Sequence, residues 1–303
     1  MYENFKSGFI CVAGLANAGK STLTNALVGE KVSIVSWRPQ TTRNKLLGII
    51  NRDDFQMVLI DTPGIHKAKN HLGEYMMQAV ERGLKDVDGV VYVIDGARGL
   101  QKDDYEFLQK NAKSVPIVVA LNKEDAVTKE TVFESLAKLN EVEGLKAVVP
   151  ISAKKGDNLD ALLKELVALL PLGVPMYPTD MFTDSTMRFQ AAEIIREKAL
   201  YLLDKEVPYG IGVYINRFEE REDKPLCEID ADIIVEKQSH KAIVIGKGGE
   251  MLKQIATKAR KDLEDMIGTK VFLTLYVRVK NEWRDSDFLM KELGYDIKAL
   301  KKD

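Results

Sequence analysis

The chain has 303 residues, 45% of them apolar and 30% charged, with a net charge of −2. This is ordinary for soluble globular protein and long enough for roughly two domains, each with its own core. The near-neutral balance singles out no partner, so a nucleic-acid contact would need a local basic patch. The two cysteines, Cys11 and Cys227, lie far apart, which argues against a disulfide framework and for a reducing compartment. Residues 1–6 contain no signal-peptide core, and no apolar run approaches the ~18 residues of a membrane span.

Residues 9–13 (Phe-Ile-Cys-Val-Ala) read as a strand and residues 22–28 as a helix. Between them stands Gly14-Leu15-Ala16-Asn17-Ala18-Gly19-Lys20-Ser21, with Thr22 opening the helix. Strand, glycine-bounded turn, Gly-Lys-Ser and helix make up the P-loop pattern. Gly14 and Gly19 have no Cβ, so the backbone can turn tightly and aim N–H groups, those of Ala18 and Thr22 included, at phosphate oxygens. The helix start brings its positive dipole end to the same place. Lys20 adds a mobile charge for the outer phosphates, and the Ser21 hydroxyl suits a magnesium ion.

Residues 30–44 read as a loop, with Thr41 and Thr42 near its end, and 46–50 and 56–60 as strands. The second strand ends at Asp61-Thr62-Pro63-Gly64. On its own that is a plain turn. Beside a P-loop, Asp61 suits water-mediated contact with Mg²⁺, and Gly64 lets the backbone approach a γ-phosphate. Helices are predicted over 72–85, 103–113 and 129–143, and near-continuous apolar strands over 89–95 and 116–121. A short strand over 147–151 delivers Ser152-Ala153-Lys154, and Asp157 or Asn158 should cap a helix running to Leu170. Alternating apolar strands and helices imply an α/β domain with a doubly wound, mostly parallel sheet. Ligands then gather at the C-terminal strand ends, where every motif falls.

Asn122-Lys123-Glu124-Asp125 follows the strand over 116–121. Guanine presents a ring N–H beside an exocyclic amine, and one carboxylate, that of Asp125, can accept from both. Adenine would leave a buried Asp unpaired. Lys123 can lay its stem along the base, Asn122 can brace the loops, and the Ala153 N–H could meet the guanine carbonyl.

These motifs, in this order over residues 8–170, resemble the small-GTPase superfamily. The resemblance implies GTP/GDP and Mg²⁺ as ligands, with Ser21, Thr42 and Asp61 organising the ion; Thr41 is the alternative to Thr42. It makes Lys20, Thr42 and Gly64 the catalytic set. Two departures stand out. Ile65 follows Gly64 where Ras-like members carry the water-orienting Gln, so the orienting group is unnamed. Asn17 occupies the position that, in some bacterial members, helps hold K⁺; the other reading is that it only hydrogen-bonds the loop.

Residues 171–178 carry three prolines and read as an extended connector. The expected division is a GTPase domain over 1–171, a linker over 172–186 and a second domain over 187–303. In the latter, a helix is predicted over 188–205 and a strand hairpin over 211–218 and 227–233. Ile245-Gly246-Lys247-Gly248-Gly249 then precedes a helix over 250–266 and a strand over 271–279. A glycine-bounded turn before an amphipathic helix is the KH signature, which clamps unpaired nucleotides. Residues 237–261 hold seven basic side chains against one acid, a phosphate-tracking surface. Lys241, Gly246, Lys247, Gly248, Gly249 and Lys253 are the candidate RNA contacts. The element order resembles a type II KH domain, α+β in class.

GTPase domain, connector and C-terminal KH domain together are similar to the Era family of bacterial GTPases, as are the segments 277–285 and 293–295. That resemblance implies binding of small-subunit ribosomal RNA near its 3′ end, with GTP/GDP exchange switching RNA binding during small-subunit assembly. It implies a monomer in the cytoplasm, with peripheral contact at the inner membrane face as a further expectation. The rival reading is a constitutive RNA-binding protein for which guanine nucleotide is a structural ligand.

Overall fold

The computed structural model describes residues 3–302; Met1, Tyr2 and Asp303, the outermost residues of the expected domains, lie outside the described residues. The chain divides into two compact units, one up to Lys67 together with Met76–Asp184, the other Ala68–Tyr75 together with Ser185 onward. Among the described residues no helix is long and apolar enough to cross a membrane.

In chain order the first elements are β1 (Lys6–Ala13), α1 (Lys20–Val28), β2 (Leu46–Asn51), β3 (Phe55–Asp61), α2 (His71–Gly83), β4 (Gly89–Asp95) and α3 (Lys102–Asn111). Next come β5 (Ile117–Asn122), α4 (Lys129–Asn140), β6 (Leu145–Ile151) and α5 (Leu159–Leu169). The strands form one six-stranded sheet in the order β2-β3-β1-β4-β5-β6. All neighbours are parallel except β2, which pairs antiparallel with β3.

Coverage on both faces explains why β1 is apolar from Phe9 onward. Ile10 and Val12 face one core with Leu23 and Leu27 of α1 and Leu162 and Leu166 of α5. Cys11 and Ala13 face the other with Leu108 of α3 and Leu139 of α4. Both faces are covered from Ile10 to Ala13, so no position in that stretch is polar; Lys6 and Ser7 lie at the other end of the strand. Each of the Ile, Val and Leu side chains here is worth about 1.5–3 kcal/mol of burial, so Leu23→Ala would cost ~2–5 kcal/mol. From β1 the sheet is laid down in opposite directions, toward β3 and toward β4. That reversal opens a crevice at the carboxyl ends of the strands, where Gly14, Asp61, Asp95, Asn122 and Ser152 emerge.

The proline-bearing segment after α5 is extended and pinned along the β2–β3 edge. Gln56 Oε1 accepts the N–H groups of Met176 (2.6 Å) and Tyr177 (2.9 Å), and the Phe182 carbonyl accepts the Ile49 N–H at 2.8 Å. This covers an edge strand that would otherwise present open hydrogen-bonding groups.

The later elements are α6 (Met187–Leu202), β7 (Gly212–Glu220), β8 (Leu226–Val235), α7 (Gln238–Ile245), α8 (Glu250–Ile267), β9 (Lys270–Val279), α9 (Asp287–Glu292) and α10 (Ile297–Lys302). Their sheet runs β7-β8-β9, with β7 antiparallel and β9 parallel to β8. Alternate β8 residues, Cys227, Ile229, Ala231, Ile233 and Val235, meet Ile195 and Ala199 of α6 and Ile255, Ala259 and Leu263 of α8. The intervening Glu228, Asp230 and Asp232 are polar because the helices lie on one face only. Trp283 is fully buried; its Nε1 donates to the Gly210 carbonyl at 2.9 Å and its ring stacks on Tyr295.

Two local expectations are corrected and one element is new. The apolar run 242–245, to which the sequence pattern assigns no element, belongs to the helix α7. At α5 neither Asp157 nor Asn158 caps with its side chain: Asn158 sits at the cap in a left-handed conformation, φ 59°, and its amide donates to the Pro150 carbonyl at 2.7 Å. β1 begins at Lys6, because Lys6 and Ser7 pair with Phe55 and Gln56 of β3.

Candidate functional site

β1 ends at Ala13 and the chain turns at Gly14, where φ is 144° and a Cβ would collide with the Val93 carbonyl. Gly19, at φ 98°, leaves no room for a Cβ beside the Asn122 amide. It is the cap of α1 and supplies no side-chain acceptor, so the first-turn N–H groups need an outside partner. A buried helix start of this kind is an anion site. Lys20 is 6% exposed and spans the loop, its Nζ donating to the carbonyls of Gly14 (3.1 Å) and Leu15 (2.8 Å). Burial pushes its ammonium down to about 8, against the pull of Asp61. Ala16, Asn17, Ser21 and Thr22 line the same cleft.

Ser21 Oγ and Thr42 Oγ1 lie 2.7 Å apart. Thr41 instead pairs with Ser36 Oγ at 2.6 Å and donates to the Arg38 carbonyl at 2.7 Å, so Thr42 is the threonine facing Ser21. Asp61 is fully buried: Oδ2 accepts from Ser33 Oγ at 2.9 Å, while Oδ1 is buried with no partner. Burial pushes its carboxyl above the usual carboxylate range, with Lys20 opposing. Two adjacent hydroxyls and an orphaned carboxylate oxygen are the donor chemistry of a hard cation such as Mg²⁺. Among the described residues no group of three or more His, Cys, Asp and Glu could hold a metal alone. The ion these residues fit is one that shares its coordination with water and phosphate.

Gly64 packs against the phosphate loop so closely that a Cβ would lie 2.6 Å from Ala16 Cα. The N–H of Ile65 donates to the Gly14 carbonyl at 3.1 Å, and His66 Nδ1 donates to the Gly64 carbonyl at 2.8 Å. Ile65 brings no hydrogen-bonding side chain.

Asn122 is 2% exposed; its Nδ2 donates to the Ala18 carbonyl at 2.9 Å and its Oδ1 accepts the Ala153 N–H at 3.0 Å. The Ala153 N–H, read in the sequence as a donor to the base, is thus engaged by Asn122. Asp125 Oδ1 accepts from Ser152 Oγ at 2.7 Å, and that hydrogen bond holds its carboxyl below the usual range. Lys123 Nζ donates to the Asn17 carbonyl at 2.8 Å, and the Asn17 amide donates to the Trp37 carbonyl at 2.9 Å. Lys154 is exposed. One end of the sheet therefore gathers residues from positions as far apart as 14 and 153.

In the second unit, Gly246, Gly248 and Gly249 have φ of 74°, 60° and 81°. At Gly246 a Cβ would meet Met251 Cβ at 2.7 Å, while beside Gly248 and Gly249 nothing lies within 4 Å. Lys247 and Lys253 are exposed and Lys241 half-buried. A groove of about 590 Å³ runs beside this turn, lined by Lys241, Ile245 and Leu252 from the helices and by residues 275–279 of β9. An apolar floor, basic side chains at Lys241 and Arg278 and an open strand edge suit an unstacked base and its backbone.

A family model described as 50S ribosome-binding GTPase matches residues 9–123, and a KH-domain model matches residues 206–284. Over 293 residues the chain is 48% identical to GTPase Era of Clostridium novyi (strain NT), covering 96% of this chain and 99% of that relative. The chain belongs to the Era family of GTPases. GTPase Era of Caldicellulosiruptor saccharolyticus is 47% identical over 298 residues, covering 98% of this chain and 99% of its own. A crystal structure of a variant of Aquifex aeolicus Era bound to GDP·AlF4⁻ matches with a TM-score of 0.93 at 38% identity, over 97% of this chain and all of that one. The crystal structure of Era in complex with MgGDPNP and nucleotides 1506–1542 of 16S ribosomal RNA matches with the same TM-score and identity. The chain is thus a GTPase with a C-terminal KH domain.

Within this Era-family site, sequence reasoning misses Ser33 and Asp95. Ser33 lies in a loop, and only the fold carries it to Asp61. Asp95 is visible merely as the polar end of an apolar strand.

Proposed function

We propose that GTP hydrolysis in the first unit times the binding and release of a single-stranded segment of small-subunit ribosomal RNA by the KH domain, during assembly of the small ribosomal subunit in the cytoplasm. The match to Era in complex with MgGDPNP and nucleotides 1506–1542 of 16S ribosomal RNA, taken with the glycine turn and groove of this chain, carries the reading. The N–H groups at the start of α1 and the Lys20 ammonium hold the phosphates and stabilise the charge that develops on them. Ser21, Thr42 and Asp61 are the residues that would hold Mg²⁺, which when bound neutralises charge on the outer phosphates. Gly64, pressed against Ala16, offers its N–H where a γ-phosphate ends. Asp125, oriented by Ser152, accepts from the two donors of guanine. Asn17 braces the phosphate loop to the loop around Trp37, and no monovalent ion is assigned to it.

On this reading the nucleotide biases two arrangements of the loops around Thr42 and Gly64. Affinity for a synthetic oligonucleotide of the 16S 3′ region should then differ at least about fivefold between GDP and a non-hydrolysable GTP analogue. Equal affinity with GDP, with the analogue and without nucleotide would leave the nucleotide a structural ligand only.

A further inference from the structure

Asp95 ends β4 directly opposite Asn122 on β5, so its carboxylate emerges beside the base-recognition loop. Both of its oxygens are engaged. Oδ1 accepts the Ala97 N–H at 3.0 Å, and Oδ2 accepts Lys123 Nζ at 2.7 Å. The Asp95 side chain is 11% exposed, and the Arg98 guanidinium is farther off, at 3.8 Å. The same Lys123 ammonium donates to the Asn17 carbonyl of the phosphate loop at 2.8 Å. Lys123 itself has φ 69°, a left-handed conformation that a residue with a Cβ keeps only where its surroundings hold it.

These contacts have one consequence for the lysine. A free lysine stem samples many rotamers, and ordering it opposes binding. Here the backbone end is set by the loop and the ammonium end by a carboxylate and a carbonyl, so the four methylenes between them are placed in advance. Preorganisation of this kind strengthens binding without adding a contact to the ligand.

We propose that Asp95 is a positioning residue for guanine-nucleotide recognition, which fixes the Lys123 stem as the wall against which the purine lies and ties the base loop to the phosphate loop through Asn17. The proposal rests on reading Asn122-Lys123-Glu124-Asp125 as the guanine site. Asp95 acts through Lys123 and touches no phosphate, so it governs retention of the nucleotide and leaves the chemical step alone.

The test uses the full-length protein, fluorescent GDP dissociation and steady-state GTP hydrolysis. Asp95→Ala should raise the GDP dissociation rate and the KM for GTP about tenfold, the loss expected for one charge-assisted hydrogen bond. The kcat should move less than twofold. Asp95→Asn keeps one acceptor for the Lys123 ammonium but no charge, and turns an amide N–H₂ toward the Ala97 N–H, so it should recover part of the loss; a thermal melt of the alanine variant separates the effect from misfolding. In a Lys123→Met background, Asp95→Ala should add nothing. An unchanged dissociation rate in Asp95→Ala, additive losses in the double variant, or a fall in kcat instead of a rise in KM would each overturn the proposal. Should Lys123→Met alone leave GDP dissociation unchanged, the guanine-site reading itself fails and the proposal with it.

Discussion

The molecule contains two glycine turns, one at each candidate site, and they are built on opposite terms. At residues 14–19 the glycines are demanded by what surrounds them: a Cβ at Gly14 would strike Val93, one at Gly19 would strike Asn122, and across the cleft one at Gly64 would strike Ala16. At residues 246–249, Gly248 and Gly249 have open space beside them and are glycine for their positive φ alone. The first turn is embedded in a core and holds a buried lysine, so it is set before a ligand arrives. The second stands on a surface, with Lys247 in the turn and Lys253 just after it both exposed. A small, highly charged ligand rewards a rigid enclosure. A polymer needs an open edge along which its backbone can pass.

The sharpest way to test this contrast is at the base end of the enclosed site. Asp125 is exposed in the structure and not buried as the sequence pattern suggests, so Asp125→Asn should move preference from guanine toward xanthine nucleotides by ~10³-fold, the loss of two hydrogen bonds to a charged acceptor. Competition between GTP and XTP reads it, and unchanged selectivity would remove Asp125 from the site. Gly248→Asp should weaken RNA binding by about 100-fold, by placing a Cβ at positive φ and a carboxylate against phosphate. GDP affinity should be unaffected; loss of both activities would mean that the two turns are not independent.

The smallest effect concerns Lys20, whose ammonium is pushed from 10.5 down to about 8 by burial. In the unfolded chain it holds its proton more tightly, so unfolding takes up a proton between those values. The stability of the nucleotide-free protein should therefore rise with pH from about 8 toward 10.5. GDP affinity should fall by a few-fold over the same interval as the charge is lost. Thermal melts and GDP titrations across that range check both slopes. Flat profiles would place Lys20 in a wetter, less enclosed setting, more like the lysines around Gly248.

The sequence by itself determined the class of each half and named most of the residues that the fold gathers around the two glycine turns. Spacing and residue type carry that information locally: a loop that must accept phosphate needs glycines, a lysine and a helix start within a few residues. The family resemblance names Thr42 and keeps Thr41 as the alternative, since the two are adjacent along the chain; the fold turns Thr42 toward Ser21 and Thr41 toward Ser36. The helix over residues 238–245 was hidden because an apolar run this short suits a strand or a helix equally. Asp95 shows the limit most clearly. Its chemistry lies in a register across two parallel strands and in a lysine 28 residues away. Such partnerships arise when separate strands end side by side, and no local pattern encodes which ends will meet.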